Sequence, residues 1–258
     1  MAQPLRKTGE VGVFRLGNRG ITLVEIVISA SIFVLVLATA LGVYNVSLRH
    51  YQKDMARNVA NGQAQTGAQY IERDIRNSYA VLASYGSYTT GAHSIVLSAP
   101  SYNSGGVIDS AFDTIVYSVN SSNVLVRTTA ANALSLRANG TNRTLARGVT
   151  SLNLTYKVHD FFIGDGSKSS FTLNAPWSST PTCRLNGATT AASYNATNHT
   201  ASFTSAPASG DKIEFAYTID PAVSSSLAFV SEVSVPIQTT STDSVASCQV
   251  VSSARLRN

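Results

Sequence analysis

The most constraining feature of the sequence is an apolar run from Ile26 to Val43, IVISASIFVLVLATALGV, which contains no charge and no proline. A helix rises about 1.5 Å per residue and the hydrocarbon layer of a bilayer is about 30 Å thick, so this run and its flanks suffice for one crossing. A single carboxylate, Glu25, stands at its mouth, and a basic, glycine-containing segment ending in Arg19-Gly20 precedes it. A charge at the centre of an isolated membrane helix costs roughly 2.5–3.5 kcal/mol on insertion scales, less near the interface. An acid beside the apolar stretch therefore calls for a partner.

The net charge of +5 is unevenly placed. Arg6, Lys7, Arg15 and Arg19 against Glu10 put +3 into the first twenty residues, leaving +2 for the rest. A basic segment before an apolar run keeps the N-terminus cytoplasmic, and it makes no case for nucleic acid: no specific nucleic-acid site is evident. An ordinary secretory signal has its small-residue cleavage site after the apolar core. Here Gly20 lies before it, so a cut at Gly20 leaves the helix on the mature chain.

The junction Arg19-Gly20-Ile21-Thr22-Leu23-Val24-Glu25 with its apolar run resembles a prepilin processing site, as in type IV pilins and the pseudopilins of type II secretion. The resemblance implies cleavage by a prepilin peptidase between Gly20 and Ile21 and N-methylation of Ile21, where phenylalanine is the family's usual residue. It also implies that Glu25, the fifth mature residue, docks one subunit on another.

No proline occurs between Leu5 and Ala99, and Tyr44, Leu48, Tyr51, Met55 and Val59 recur at three- and four-residue steps. The helix is thus expected to run from Ile21 to about Ser78. Gly62 and Gly67 weaken its middle by roughly 1 kcal/mol each relative to alanine, so fraying is expected there. In Gln63 to Ala80, QAQTGAQYIERDIRNSYA, the residues Ile71 and Ile75 belong in a core, with Glu72 and Arg76 as an exposed i,i+4 pair on a solvated face. This segment is similar to the end of the stalk helix in J-type minor pseudopilins and W-type minor pilins.

After Ala80 the pattern turns to strands. Ser94 to Ala99, Thr114 to Val119 and Asn123 to Arg127 are short β-branched runs, the last two joined by a turn at Asn120 to Asn123. From Val149, Leu152, Leu154, Tyr156 and Val158 fall on one face. The order of these strands also resembles the J-type one. Residues Phe161 to about Ile219 read as an insertion, similar to small β modules of phage tail and surface proteins on Asp165 to Ser167, Leu185 to Gly187 and Phe203 to Asp211. Asn186-Gly187 favours a tight hairpin, Pro207 to Gly210 another turn, and Ile213, Phe215 and Tyr217 alternate onto one face. Leu227 to Ile237 and Val245 to Leu256 read as two closing strands.

Cys183 and Cys248 are the only cysteines; a disulfide between them and two buried thiols are the alternatives. His50, His93, His159 and His199 show no metal-ligand spacing, and no nucleophile elbow, zincin motif or phosphate loop is present. Asp160 and Asp165 are turn residues in preference to calcium ligands. No enzyme, cofactor or metal site is expected.

The expected fold is α+β: a long N-terminal transmembrane and stalk α-helix packed on an antiparallel β-sheet head with an inserted small β module. The expected segments are a leader peptide (1–20), the helix (21–79), the head (80–160 and 220–258) and the module (161–219). The resemblance implies a minor type IV pilin or pseudopilin that helps initiate or cap a pilus or secretion pseudopilus. Its partners would be the prepilin peptidase, other pilin or pseudopilin subunits, the inner-membrane assembly platform and the lipid bilayer. The chain would cross the inner membrane once, N-terminus cytoplasmic and head periplasmic or extracellular. The alternative is a membrane-anchored surface adhesin or receptor-binding protein.

Overall fold

A computed structural model describes residues 21–241 and 247–256. The expected leader lies outside the described residues. The chain divides into two compact units, 1–51 and 52–258. One helix, α1 (Leu23–Arg76), runs through the boundary.

The described part of the first unit is helical from Leu23, and all its residues are exposed, the apolar ones included. The helix is long and apolar enough to cross a membrane.

The second unit begins with the remainder of α1 and continues through β1 (Ala80–Leu82), β2 (Ser84–Tyr85), β3 (Tyr88–Thr89), β4 (Ser94–Tyr102), β5 (Ile108–Val119), β6 (Val124–Ala130) and β7 (Thr141–Arg147). Then come β8 (Val149–Leu152), β9 (Thr155–Ile163), β10 (Ser170–Thr172), β11 (Thr182–Leu185), β12 (Ala188–Thr190), β13 (Ser193–Asn195), β14 (Thr200–Ser202) and β15 (Lys212–Ile219). A 3-10 helix (Ser224–Phe229), β16 (Glu232–Thr240) and β17 (Ser247–Arg255) close the chain. All pairings are antiparallel. A five-stranded sheet has the order β1-β4-β5-β6-β7, and a seven-stranded one the order β12-β11-β15-β9-β16-β17 with β8 also on β16. A small sheet, β10-β14-β13, and the β2-β3 ribbon complete the unit.

The end of α1 joins the two larger sheets. Ala60, Ala64, Gly67, Ala68, Ile71 and Ile75 recur at helical spacing and are all buried. A Cβ built on Gly67 would come within 2.8 Å of Leu125 Cδ2 on β6 and 3.3 Å of Ile237 Cδ1 on β16. The helix is continuous through both glycines, and Gly67 lets it approach both sheets at once. Ile71 and Ile75 lie in the core as expected, each worth about 1.5–3 kcal/mol, and Arg76 pairs with Glu72 one turn away. Asp74 departs from the expected solvated face, being 5% exposed.

The β5–β6 hairpin turns where expected. Asn120 Oδ1 accepts from the N–H groups of Ser122 and Val124, and Asn123 takes φ 57°. Asn186 and Gly187 carry φ 51° and 86° between β11 and β12, the two positive values of a two-residue hairpin turn. The face of Leu152, Leu154, Tyr156 and Val158 is buried, yet the run is two strands. Ile237 stands opposite Leu152 and Val233 opposite Tyr156, so one register holds on both sides of the break. That register sets Asn153 opposite Pro236. The Pro236 carbonyl accepts from Asn153 at 3.3 Å, but proline returns no N–H, and the Leu154 N–H turns to Ala92 instead. The run from Leu227 also differs: three serines open a 3-10 turn that takes in Leu227 to Phe229, and the strand starts only at Glu232.

The segment 161–219 is not set apart from the head. β9 crosses its first boundary, β15 pairs with β9 over eight residues, and β11 and β12 extend the same sheet. Phe171, Ala201, Ile213, Phe215 and Tyr217 share one buried cluster with Tyr156, Val158 and Val233. The module reads as separable because its turns are local, whereas its partner strand lies outside it. Deleting residues 161–219 is accordingly expected to abolish cooperative unfolding of the head by circular dichroism and to leave it protease-sensitive. A deletion variant with a sharp melt and a protected head would restore the separable module.

Candidate functional site

Gly20, the expected cleavage position, lies outside the described residues. Ile21 is 71% exposed just before α1. Thr22 begins the helix: its carbonyl accepts from Glu25 N–H at 3.0 Å and its Oγ1 accepts from the same group at 3.3 Å. Thr22-Leu23-Val24-Glu25 thus has the spacing of a capping box, with Glu25 as the acid of the first turn. A threonine three residues before a glutamate and an apolar run is the sequence signal for this start. Glu25 is exposed and has no ion-pair partner among the described residues.

The cysteines are free thiols. Cys183 is on β11 and Cys248 on β17, four strand steps apart in the seven-stranded sheet. At about 4.8 Å per step that is roughly 19 Å, far beyond the Cα separation of about 4.4–6.8 Å that a disulfide needs. The disulfide alternative is thereby corrected. Burial pushes the Cys183 thiol up, and the half-buried Cys248 donates to Asn61 Oδ1 at 3.2 Å.

Asp160 is not a turn residue. It lies buried in β9 and accepts from Tyr217 Oη at 2.7 Å and Asn174 N–H at 2.9 Å, tying β9, β15 and the loop after β10 together. Asp165 is one: its carboxylate accepts from the Ser167 and Lys168 N–H groups, which hold it below the usual carboxylate range. Among the described residues no three His, Cys, Asp or Glu side chains group to hold a metal ion.

The densest buried electrostatics were invisible in the sequence. Asp74 of α1 accepts from Arg127 Nε at 2.6 Å and from Tyr117 Oη at 2.5 Å. Arg127 also donates to Thr129 Oγ1 at 2.7 Å. Burial, and then the Asp74 carboxylate, push the Tyr117 hydroxyl far above its ordinary value. Asp113, fully buried, holds Arg137, the Ser135 hydroxyl and the Asn132 N–H, which pins the loop between β6 and β7. A charged residue in a run such as Glu72-Arg73-Asp74 carries no local sign of which member turns inward.

The outer face of the seven-stranded sheet holds a second charged set. His159 Nδ1 lies 2.8 Å from Glu214 Oε1, and its Nε2 lies 3.7 Å from Glu232 Oε2. Lys157 and Arg255 also pair with Glu232, at 3.3 and 3.6 Å. These residues come from four strands, and only the register brings them together.

Removing one partner of a buried ion pair costs about 3–5 kcal/mol because the other charge is stranded. Asp74→Ala is therefore expected to lower head stability by about that amount in a denaturant melt. Arg76→Ala, at an exposed pair, is expected to change it by at most about 1 kcal/mol; equal losses would show that Asp74 is not an anchor. No protein-family model matches this chain, and no curated protein matches it at a significant level.

Proposed function

We propose that this chain is a minor type IV pilin or pseudopilin, a structural subunit that helps initiate or cap assembly of a pilus or secretion pseudopilus. The observation that carries the reading is Glu25, without an ion-pair partner among the described residues, in the first turn of an unbroken helix whose run Ile26 to Val43 is apolar, five residues after Gly20. The β-rich head is compatible with it.

In this reading a prepilin peptidase cuts after Gly20 on the cytoplasmic side and methylates Ile21. The new α-amino group is protonated at neutral pH. Glu25 of one subunit takes the amine of its neighbour, so each docking step removes an unpaired charge from the apolar layer. It also selects an axial register between helices whose remaining surface, from Ile26 to Val43, is apolar and can slide. The inner-membrane platform and the other subunits supply the neighbours, and the head lies on the periplasmic or extracellular side. The role is one of architecture and not of catalysis.

Processing is tested by intact mass of the membrane-extracted protein. The expected N-terminus is Ile21, and a mature chain starting at Met1, or after the apolar run, overturns it. Docking is tested by Glu25→Gln, expected to leave insertion and cleavage intact while lowering the ratio of processed subunit in sheared filaments to that in membranes. An unchanged ratio would favour the anchored adhesin.

A further inference from the structure

The outer face of the seven-stranded sheet has a second property, which follows from its register. Along β9 the inward residues are Tyr156, Val158 and Asp160, so Lys157, His159, Phe161 and Ile163 stand outward. A solvated strand face carries polar side chains at such positions. Here two are large and apolar: Phe161 is 69% and Ile163 73% exposed. The rings of His159 and Phe161 are nearly parallel, 19° apart, with centroids separated by 6.4 Å, and continue the shelf along the strand.

Beside this shelf the register lays out a grid. Ile163 faces Lys212, Phe161 faces Glu214, and His159 faces Ala216 on β15. Glu214 and Ala216 face Arg184 and Thr182 on β11. Ala216 is the smallest side chain in the grid and is ringed by longer ones, which leaves a depression of about 320 Å³ over it, with Thr182 and Thr218 in its wall. A second depression of about 660 Å³ lies over Phe161, Ile163 and Lys212. The two share Arg184 and Glu214, so they are parts of one surface.

The charges in this surface are not equivalent. Glu214 and Glu232 are engaged by His159, Lys157 and Arg255. Arg184 and Lys212 have no carboxylate within ion-pair distance among the described residues. The site therefore offers an apolar shelf, two exposed cations at its edge that no carboxylate pairs among the described residues, and a hydroxyl-lined depression. A planar guanidinium matches a carboxylate in two parallel hydrogen bonds. A hexuronic acid unit has the complementary chemistry: an apolar C–H face, a rim of hydroxyls and one carboxylate. An acidic peptide would satisfy the cations but would leave the hydroxyl-lined depression without its match.

We infer that the outer face of β9, β15 and β11 binds an acidic oligosaccharide, with a uronic ring on Phe161, its carboxylate on Arg184 and Lys212, and the hydroxyls of a neighbouring unit in the depression over Ala216. This site is independent of Glu25 and of filament docking.

The test is calorimetric titration of the full chain in detergent micelles with tetragalacturonate, with the neutral maltotetraose, and with tetraglutamate. The expected result is saturable binding of tetragalacturonate that weakens with added salt and exceeds both other probes by about tenfold or more. Phe161→Ala and Arg184→Ala, both at exposed positions, are each expected to lower that affinity about tenfold with an unchanged unfolding midpoint. Lys212→Ala, at a third exposed position, is expected to do the same to a smaller extent. Absence of saturable binding, equal affinity for tetraglutamate, or unchanged affinity in the folded Phe161 and Arg184 variants would each overturn the assignment.

Discussion

The structure of the second unit depends on how closely the end of α1 can lie against two sheets. Ala60, Ala64, Gly67 and Ala68 remove side-chain bulk from one face of the helix, and Leu125 and Ile237 fill the space from opposite sheets. Even alanine at Gly67 would push on both side chains, since Leu125 Cδ2 and Ile237 Cδ1 stand 2.8 and 3.3 Å from a Cβ built there, inside van der Waals contact. The small residues thus position Ile71 and Ile75 deep in the shared core, and Asp74 against Tyr117 and Arg127.

Burying a carboxylate on such a helix is expensive unless it is fully coordinated, and Asp74 is. Its partners sit on β5 and β6, so the pair fixes the rotation of the helix as well as its position. The apolar contact is non-directional, and the polar pair adds a directional constraint to the fit made at Gly67. The same device recurs at Asp160, where Tyr217 and Asn174 define how β9, β15 and the following loop meet. Each of these carboxylates is satisfied by groups from more than one element, which is the condition under which buried polarity confers specificity instead of instability.

What the sequence discloses is what local chemistry determines. The apolar run, the Ile71 and Ile75 pair, the Asn120 and Asn186-Gly187 turns and the alternation in β15 all follow from neighbours in the chain, and all appear in the structure. The discrepancies are non-local. That β15 pairs with β9 instead of closing a separate module, that Cys183 and Cys248 lie four strands apart, and that the β8–β9 break answers to Pro236 are facts of pairing between distant segments. Helix propensity alone marks Gly67 as a weak point, because the sheets that face it are distant in the chain. The proposed processing and docking residues rest on one contiguous stretch of sequence; the charged grid around Ala216 is not legible there, since its members come from separate strands.

The hydrogen bond from Thr239 Oγ1 to the Ala60 carbonyl, at 2.8 Å, and that from Ser252 Oγ to Glu72, also at 2.8 Å, join residues about 180 positions apart. Chains emerge from the ribosome N-terminus first. The small-residue face of α1 is therefore made at the beginning of synthesis, whereas β16 and β17 come at the end. Until then that face has no partner from these strands, and each of these contacts closes a loop of about 180 residues. Such long-range closure is slow. Until β16 and β17 appear, only the sheet of β1 and β4–β7 can cover the helix, and the part of its small-residue face that Ile237 and Thr239 cover stays open.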